Sequence, residues 1–156
     1  MDQSERQVLI TRYVEGPRVV EEALARIGAD RLDVRAEDGW TAREVVHHLA
    51  DSEMTSAIRL RRLIAEDRPE IVGYDEPEYA RRLYYDRPIE TSLAAVKAAR
   101  ASTATILERM IEDEWQREGT HSESGRYSVE DWLRIYAAHA HEHAAQIARA
   151  GGAAVS

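Results

Sequence analysis

The chain has 156 residues, a length typical of one domain around one hydrophobic core. Its formal net charge of −8 disfavours binding to nucleic acid or to anionic membranes, because both select basic surfaces. The absence of cysteine excludes disulfides, thiolate nucleophiles and cysteine-ligated zinc. The N-terminal segment is polar, and no run approaches the roughly 18 apolar residues of a membrane span, so we expect a cytoplasmic protein.

Helical patterns follow one another along the chain, and no stretch predicts a convincing strand. We predict a single domain over residues 1–156, with long helices at about residues 4–27, 41–66, 89–113 and 128–150 and a short helix at about residues 76–84. Proline lacks an N–H donor, so we expect a kink or a restart at Gly16-Pro17 in the first helix. Gly151-Gly152 is expected to end the last helix. Four long helices without strands predict an all-α four-helix bundle.

Two of these helices have a clear start signal. In a capping box, two residues satisfy each other's free backbone N–H groups. This spacing occurs at Thr41 with Glu44 and at Ser128 with Asp131. The second helix also contains the basic run Arg59-Leu60-Arg61-Arg62. We interpret that run as a solvated helix face.

The fourth helix carries two histidines on its predicted inward face. Successive residues rotate by about 100°, and the inward face is defined by Trp132, Ile135, Tyr136, Ala140 and Ile147. His139 and His143 fall in the middle of this face, one turn apart, whereas His141 points toward solvent. Buried imidazoles need partners for their ring nitrogens. The pair therefore favours a metal site over the alternative, a buried polar network with Tyr136 or Gln146.

The second helix brings further polar groups to the core. Glu53 lies within the inward arc, where a carboxylate needs a cation or a hydrogen-bond donor. It could be a fourth metal ligand, an acceptor for a histidine N–H, or a proton acceptor. His48 lies at the edge of the same arc, closer to the core than His47. Periodicity thus leans toward His48, and we expect His47 at the surface or at an edge.

Three neutral imidazoles suit zinc, nickel or another borderline divalent ion. Three protein ligands also leave one coordination position open, which is typical of catalytic zinc rather than of structural zinc. The candidate ligands of one divalent ion are therefore His48, His139 and His143.

The start of the second helix resembles the signature segment of the DinB-like superfamily of metal-binding four-helix bundles. The residues that match are Trp40-Thr41-Ala42-Arg43-Glu44-Val45-Val46-His47-His48-Leu49-Ala50-Asp51-Ser52-Glu53. Within it, the chain is most similar to the YfiT group of metal-dependent hydrolases and bacillithiol transferases. Further matches are Gly119-Thr120-His121, Tyr136 to His139 and His143 to Ile147. The resemblance covers nearly the whole chain.

This resemblance implies that one metal ion per chain is held by His48, His139 and His143, which settles the choice of His48 over His47. It also implies a homodimer. Some relatives have a residue other than Glu at the position of Glu53. Its role therefore stays open, either as an acceptor that orients a histidine ligand or as an acid or base.

Three functions are considered, two that use the open coordination position and one that does not. The resemblance places first a transferase that joins a low-molecular-weight thiol of the bacillithiol type to an electrophile, in detoxification or stress response. The cosubstrate would then bring the sulfur that the chain lacks. A metal-dependent hydrolase that uses a metal-bound water is the second. The third is a non-enzymatic metal-binding stress protein, in which Glu53 would complete the coordination.

His121 precedes the last helix in a loop rich in Gly and Ser. It could act there as a substrate contact or a proton shuttle. The alternative is a loop residue whose ring bonds to the backbone, and we favour this second interpretation.

Overall fold

The computed structural model describes residues 1–150. The predicted end of the last helix at Gly151-Gly152 lies outside these residues. In chain order the elements are α1 (Gln3–Ile27), a 3₁₀ turn (Ala29–Arg31), α2 (Ala42–Ala65), β1 (Glu70–Ile71), α3 (Glu76–Arg82), α4 (Glu90–Leu107), α5 (Glu112–Trp115), β2 (Glu118–His121), β3 (Gly125–Ser128) and α6 (Val129–Ala150).

The four long helices α1, α2, α4 and α6 form a bundle, which confirms the predicted fold class. Both α1 and α2 pack against α4 and α6, so α1 and α2 occupy opposite corners. Among the described residues, none of the helices combines the length and the apolar composition that crossing a bilayer requires.

Both predicted capping boxes are present. The Thr41 hydroxyl accepts a hydrogen bond from the Glu44 N–H at 3.1 Å, and the Glu44 carboxylate accepts one from the Thr41 N–H at 2.9 Å. Ser128 and Asp131 make the same reciprocal pair, at 3.1 and 3.0 Å. These local bonds fix where α2 and α6 begin, and therefore the height of their histidines in the bundle.

Of the kink or restart predicted at Gly16-Pro17, the restart is wrong, because α1 continues as one helix through both residues. Pro17 cannot donate to the carbonyl of Tyr13, four residues earlier. Arg100 on α4 donates to that carbonyl instead, from Nη1 at 2.6 Å. A Cβ at position 16 would lie only 2.8 Å from Arg100 Cζ, so Gly16 provides the room for the guanidinium. The Gly-Pro pair therefore accommodates a buried arginine within an unbroken helix.

The prediction that the chain lacks strands is also wrong. A small sheet has the order β1-β2-β3, with β1 parallel and β3 antiparallel to β2. A Cβ on Gly119 of β2 would lie 3.1 Å from Pro69 Cγ and still closer to the Pro69 carbonyl oxygen, so the strand needs glycine to approach this residue. In addition, α4 ends at Leu107 rather than near residue 113, and the short α5 follows it.

The core consists of two apolar clusters separated by a polar layer. Leu49 of α2 belongs to one cluster and Leu60 of the same helix to the other. Between these two levels lie Glu53 and its partner Arg100, which are 0% and 1% exposed. The inward face of α6 is as predicted except for Ile135, which is 48% exposed. The polar layer adjoins the histidines: Glu53 follows His48 by five residues on α2, and Arg100 lies near enough to His139 to lower its pKa.

Candidate metal centre

Helices α2 and α6 bring His48, His139 and His143 together. Each offers a ring nitrogen, and these three atoms lie within 4.8 Å of one another. The Nε2 atoms of His139 and His143 are 3.1 Å apart, close to the separation of about 3.3 Å between two ligands on a tetrahedral zinc ion. The ring centroid of His48 lies 4.8 Å from that of His143 and 5.4 Å from that of His139. The three predicted ligands thus surround one point.

The protonation state of these rings suits a cation. Burial, together with the smaller effect of the neighbouring His143, lowers the pKa of His48 to about 4. Burial also lowers the pKa of His139 and of His143. All three imidazoles are therefore neutral near pH 7, the form that binds a metal ion. The Nδ1 atom of His139 is buried and has no hydrogen-bond partner among residues 1–150.

Two hydrogen bonds in series orient the ring of His143 on the side away from the cluster. His143 Nδ1 lies 2.6 Å from Gln146 Oε1, and Gln146 Nε2 donates to Asp38 Oδ2 at 2.9 Å. With Nε2 directed at an ion, Nδ1 carries the hydrogen and donates to the glutamine. The sequence indicated Gln146 only as a member of an alternative network, and Asp38 was missed. The ring of Trp40 lies edge-on to His48, with centroids 5.8 Å apart.

Glu53 is buried as predicted, but its carboxylate does not belong to the histidine cluster. One carboxylate oxygen forms an ion pair with Arg100, and the other accepts a hydrogen bond from the Tyr13 hydroxyl at 3.2 Å. Burial raises the pKa of Glu53, and Arg100 and Tyr13 oppose that shift. Arg100 also donates to the backbone carbonyl of Tyr136 on α6, at 3.0 Å. Both oxygens of Glu53 are thus occupied by residues of α1 and α4.

The expectation that His47 lies at the surface or at an edge is wrong, because its side chain is 0% exposed. Its Nδ1 lies 2.8 Å from Ser92 Oγ, and its Nε2 lies 2.9 Å from the carbonyl oxygen of Arg87. The segment before α4 covers this side of α2. His47 therefore ties α2 to α4 and has no place in the three-histidine cluster.

The other two histidines also lie apart from the cluster. His141 is half-buried rather than fully solvated, and its Nε2 lies 3.0 Å from the Arg12 carbonyl oxygen of α1. His121 ends strand β2, and its Nδ1 accepts a hydrogen bond from the Glu123 N–H at 3.2 Å. The bond to the backbone is the one that we favoured, but His121 lies in a strand rather than in the predicted loop.

The sequence predicted that the basic run on α2 is a solvated helix face. The structure shows that only part of the run is. Arg62 does pair with Glu66 at the surface, at 2.8 Å. Arg59 instead reaches inward and donates to the Tyr136 hydroxyl at 3.2 Å, close to His139. The Tyr136 and His139 ring centroids are 5.7 Å apart.

A family model described as the DinB superfamily matches residues 12–147. The chain belongs to the DinB superfamily. Within this superfamily, it is 37% identical over 132 residues to a protein of Oceanobacillus iheyensis, covering 84% of this chain and 77% of that one. It is 31% identical over 137 residues to YfiT of Bacillus subtilis, covering 85% and 76%. Both relatives are named "Putative metal-dependent hydrolase".

The solved structure of YfiT, described as having an unusual four-helix bundle topology, matches the DinB-superfamily fold of this chain. The TM-score is 0.89 at 28% sequence identity, and the match covers 99% of this chain and 91% of YfiT. These comparisons confirm the predicted family and bundle.

Proposed function

We propose that this protein is a metal-dependent enzyme that transfers a small-molecule thiol of the bacillithiol type to an electrophile. The observation that carries the proposal is the cluster of three histidines, which no carboxylate joins among residues 1–150. His48, His139 and His143 would hold one divalent ion, zinc or nickel, since imidazole suits both. When bound, such an ion supplies Lewis acidity, which lowers the pKa of a thiol or water in contact with it.

The surroundings of the cluster favour a thiol as the nucleophile. A free thiol has a pKa of about 8.5, whereas that of water is about 15.7, so a thiol needs far less help from a general base. Glu53, the buried carboxylate nearest in sequence to His48, is occupied by Arg100 and Tyr13. The chain has no cysteine, so the sulfur nucleophile would arrive with the cosubstrate.

The residues of the chain would orient the site. Gln146 fixes the ring of His143 through its bond to Nδ1. His139 and His143 are only partly buried, which leaves a side from which a small molecule can approach.

Hydrolysis is the second candidate, favoured by the names of the relatives from Oceanobacillus and Bacillus. The non-enzymatic alternative required Glu53 to complete the coordination. The bonds from Arg100 and Tyr13 to both of its oxygens count against that role.

A rate measurement separates these functions. Protein loaded with zinc or nickel is mixed with bacillithiol and the chromogenic electrophile chlorodinitrobenzene, and ester hydrolysis is followed in parallel without thiol. We expect metal-dependent conjugation above the spontaneous rate, its loss in His139→Ala, and its retention in the matched variant His141→Ala. Ester hydrolysis without conjugation would replace the thiol proposal with the hydrolase. The absence of both reactions would refute both functions.

Four further expectations stay predictions. A homodimer and a role in stress response rest on the family resemblance, whereas a cytoplasmic location and a single domain over residues 1–156 rest on length and composition. Sedimentation velocity of the purified protein tests the first, with a species of twice the chain mass expected.

A further inference from the structure

Arg59 lies on the same side of α2 as His48. The two positions are eleven residues apart, which at 100° per residue leaves them about 20° from alignment. Side chains of a helix lean toward its N-terminus, so Arg59 extends in the direction of the histidine cluster. Its Nη1 donates to the Tyr136 hydroxyl at 3.2 Å, and its Nη2 donates to the Val72 carbonyl at 2.8 Å.

Two tyrosines and a serine surround the end of this arginine. The ring of Tyr74 lies 5.8 Å from Arg59 Cζ, and that of Tyr136 packs on His139. Ser52 is near enough to both phenols to lower the pKa of each, against the larger effect of burial. Ser52 follows His48 by one turn and Tyr136 precedes His139 by about one turn. Ser52 and Tyr136 thus lie about one turn from the histidine cluster, on α2 and α6 respectively.

One donor of this group lacks an acceptor. Arg59 Nε is buried and has no hydrogen-bond partner among residues 1–150. An Nε–H group can only donate, so what it lacks is an acceptor oxygen. The Tyr74 hydroxyl is buried too, and Ser52 lies near enough to act on it. Buried polar groups are normally paired, and unpaired ones indicate a missing ligand or water.

The charge of Arg59 also lacks a direct partner. Within residues 1–150 its guanidinium bonds only to a neutral carbonyl and a phenol. Glu76 and Glu123 lie near this region, and Arg59 opposes the rise in the pKa of Glu76 without forming an ion pair with it. Arg62, on the next turn of the same helix, is paired with Glu66. A guanidinium with two free N–H directions matches the two oxygens of a carboxylate.

We propose that Arg59, Tyr74 and Tyr136 form a carboxylate-binding subsite for the small molecule that reacts at the three-histidine centre. The proposal rests on the proposed function for its substrate, because it supplies the second point of attachment of that substrate. One end of the molecule would lie at the histidines, and its carboxylate one helical turn away, against the guanidinium.

The test uses cobalt-loaded protein, whose absorption reports a thiol at the metal. The probes are mercaptocarboxylates of two to four carbons, each compared with its neutral amide. We expect wild type to bind at least one acid about tenfold more tightly than its amide, as a charge-assisted hydrogen bond predicts. Arg59→Gln should lose this preference, whereas the matched variant Arg62→Gln should keep it. Equal preferences in wild type and Arg59→Gln would overturn the subsite.

A second arm separates failure of the subsite from failure of the thiol proposal. If no thiol changes the cobalt spectrum, thiol transfer fails, and the subsite is tested alone with benzoate and benzamide on metal-free protein by saturation-transfer NMR. Preference for benzoate that disappears in Arg59→Gln supports the subsite, and no preference in wild type refutes it. Thermal unfolding checks that Arg59→Gln is folded. Tyr136→Phe, which keeps the ring, provides a second variant and should weaken the preference.

Discussion

The substitution Gly16→Ala tests how α1 accommodates the buried arginine. The added methyl group would lie 2.8 Å from Arg100 Cζ and 2.9 Å from the Cβ of Ala140, and closer still to Arg100 Nη1. An exposed arginine would simply move. Arg100 is 1% exposed and is held by the Tyr13 carbonyl, the Tyr136 carbonyl and Glu53, so moving it breaks bonds on three helices.

The expected cost follows from two opposing effects. Removing one partner of a buried ion pair costs about 3–5 kcal/mol, because the other charge stays buried and unpaired. Alanine favours a helix over glycine by about 1 kcal/mol. We therefore expect Gly16→Ala to lower the free energy of unfolding by about 2–4 kcal/mol, a large part of the total of about 5–15 kcal/mol for a domain.

Urea denaturation of the metal-free protein, followed by circular dichroism, measures this loss. The control is the same change in an Arg100→Ala background, where the guanidinium no longer occupies the space. There Gly16→Ala should cost much less, since only the contact with Ala140 remains. Equal losses in both backgrounds, or a Gly16→Ala protein as stable as wild type, would refute the reasoning.

Three further predictions concern the histidines and their support. His139→Ala and His143→Ala should lose bound metal while His141→Ala keeps it, as measured by mass spectrometry of the metal content. Equal losses in all three would contradict the ligand assignment. Gln146→Leu should weaken metal affinity about 10–100-fold, measured by competition with a chelator, because it removes the acceptor behind His143. An unchanged affinity would show that this bond does not orient the ring. His47→Ala should keep its metal but lose about 1–3 kcal/mol of stability in urea, because two polar partners are left unsatisfied. Loss of metal without loss of stability would place His47 in the site.

The parts of the fold that local signals specify were predictable. Capping boxes and a period of 3.6 residues are properties of one segment, and they located α2 and α6 closely. The strands were not predicted because segments of two to four residues are too short to show an alternation of apolar and polar side chains. The end of α4 was placed too late because Met110 continues the apolar pattern and packs on the core from beyond the helix.

The same distinction holds for the site. Helical rotation separated His139 and His143 from His141 because α6 carries all three. Rotation failed for His47 because it assumes one buried arc, whereas α2 is also covered on its other side by the segment around Arg87. Asp38 and Arg100 approach from distant parts of the chain, and no spacing in the sequence indicates such partners.

A buried ion pair beside a cation site has an electrostatic consequence. Arg100 lies near enough to lower the pKa of His139, so its charge alone would repel a metal ion held by that ring. Glu53 neutralises this charge within the same polar layer. An ion pair of this kind adds little stability compared with apolar residues. Its value is that Arg100 can join α1, α4 and α6 through backbone carbonyls of Tyr13 and Tyr136 without placing a net positive charge beneath the histidines. The carboxylate that the sequence offered as a metal ligand would thus support the proposed metal centre by neutralising its neighbour.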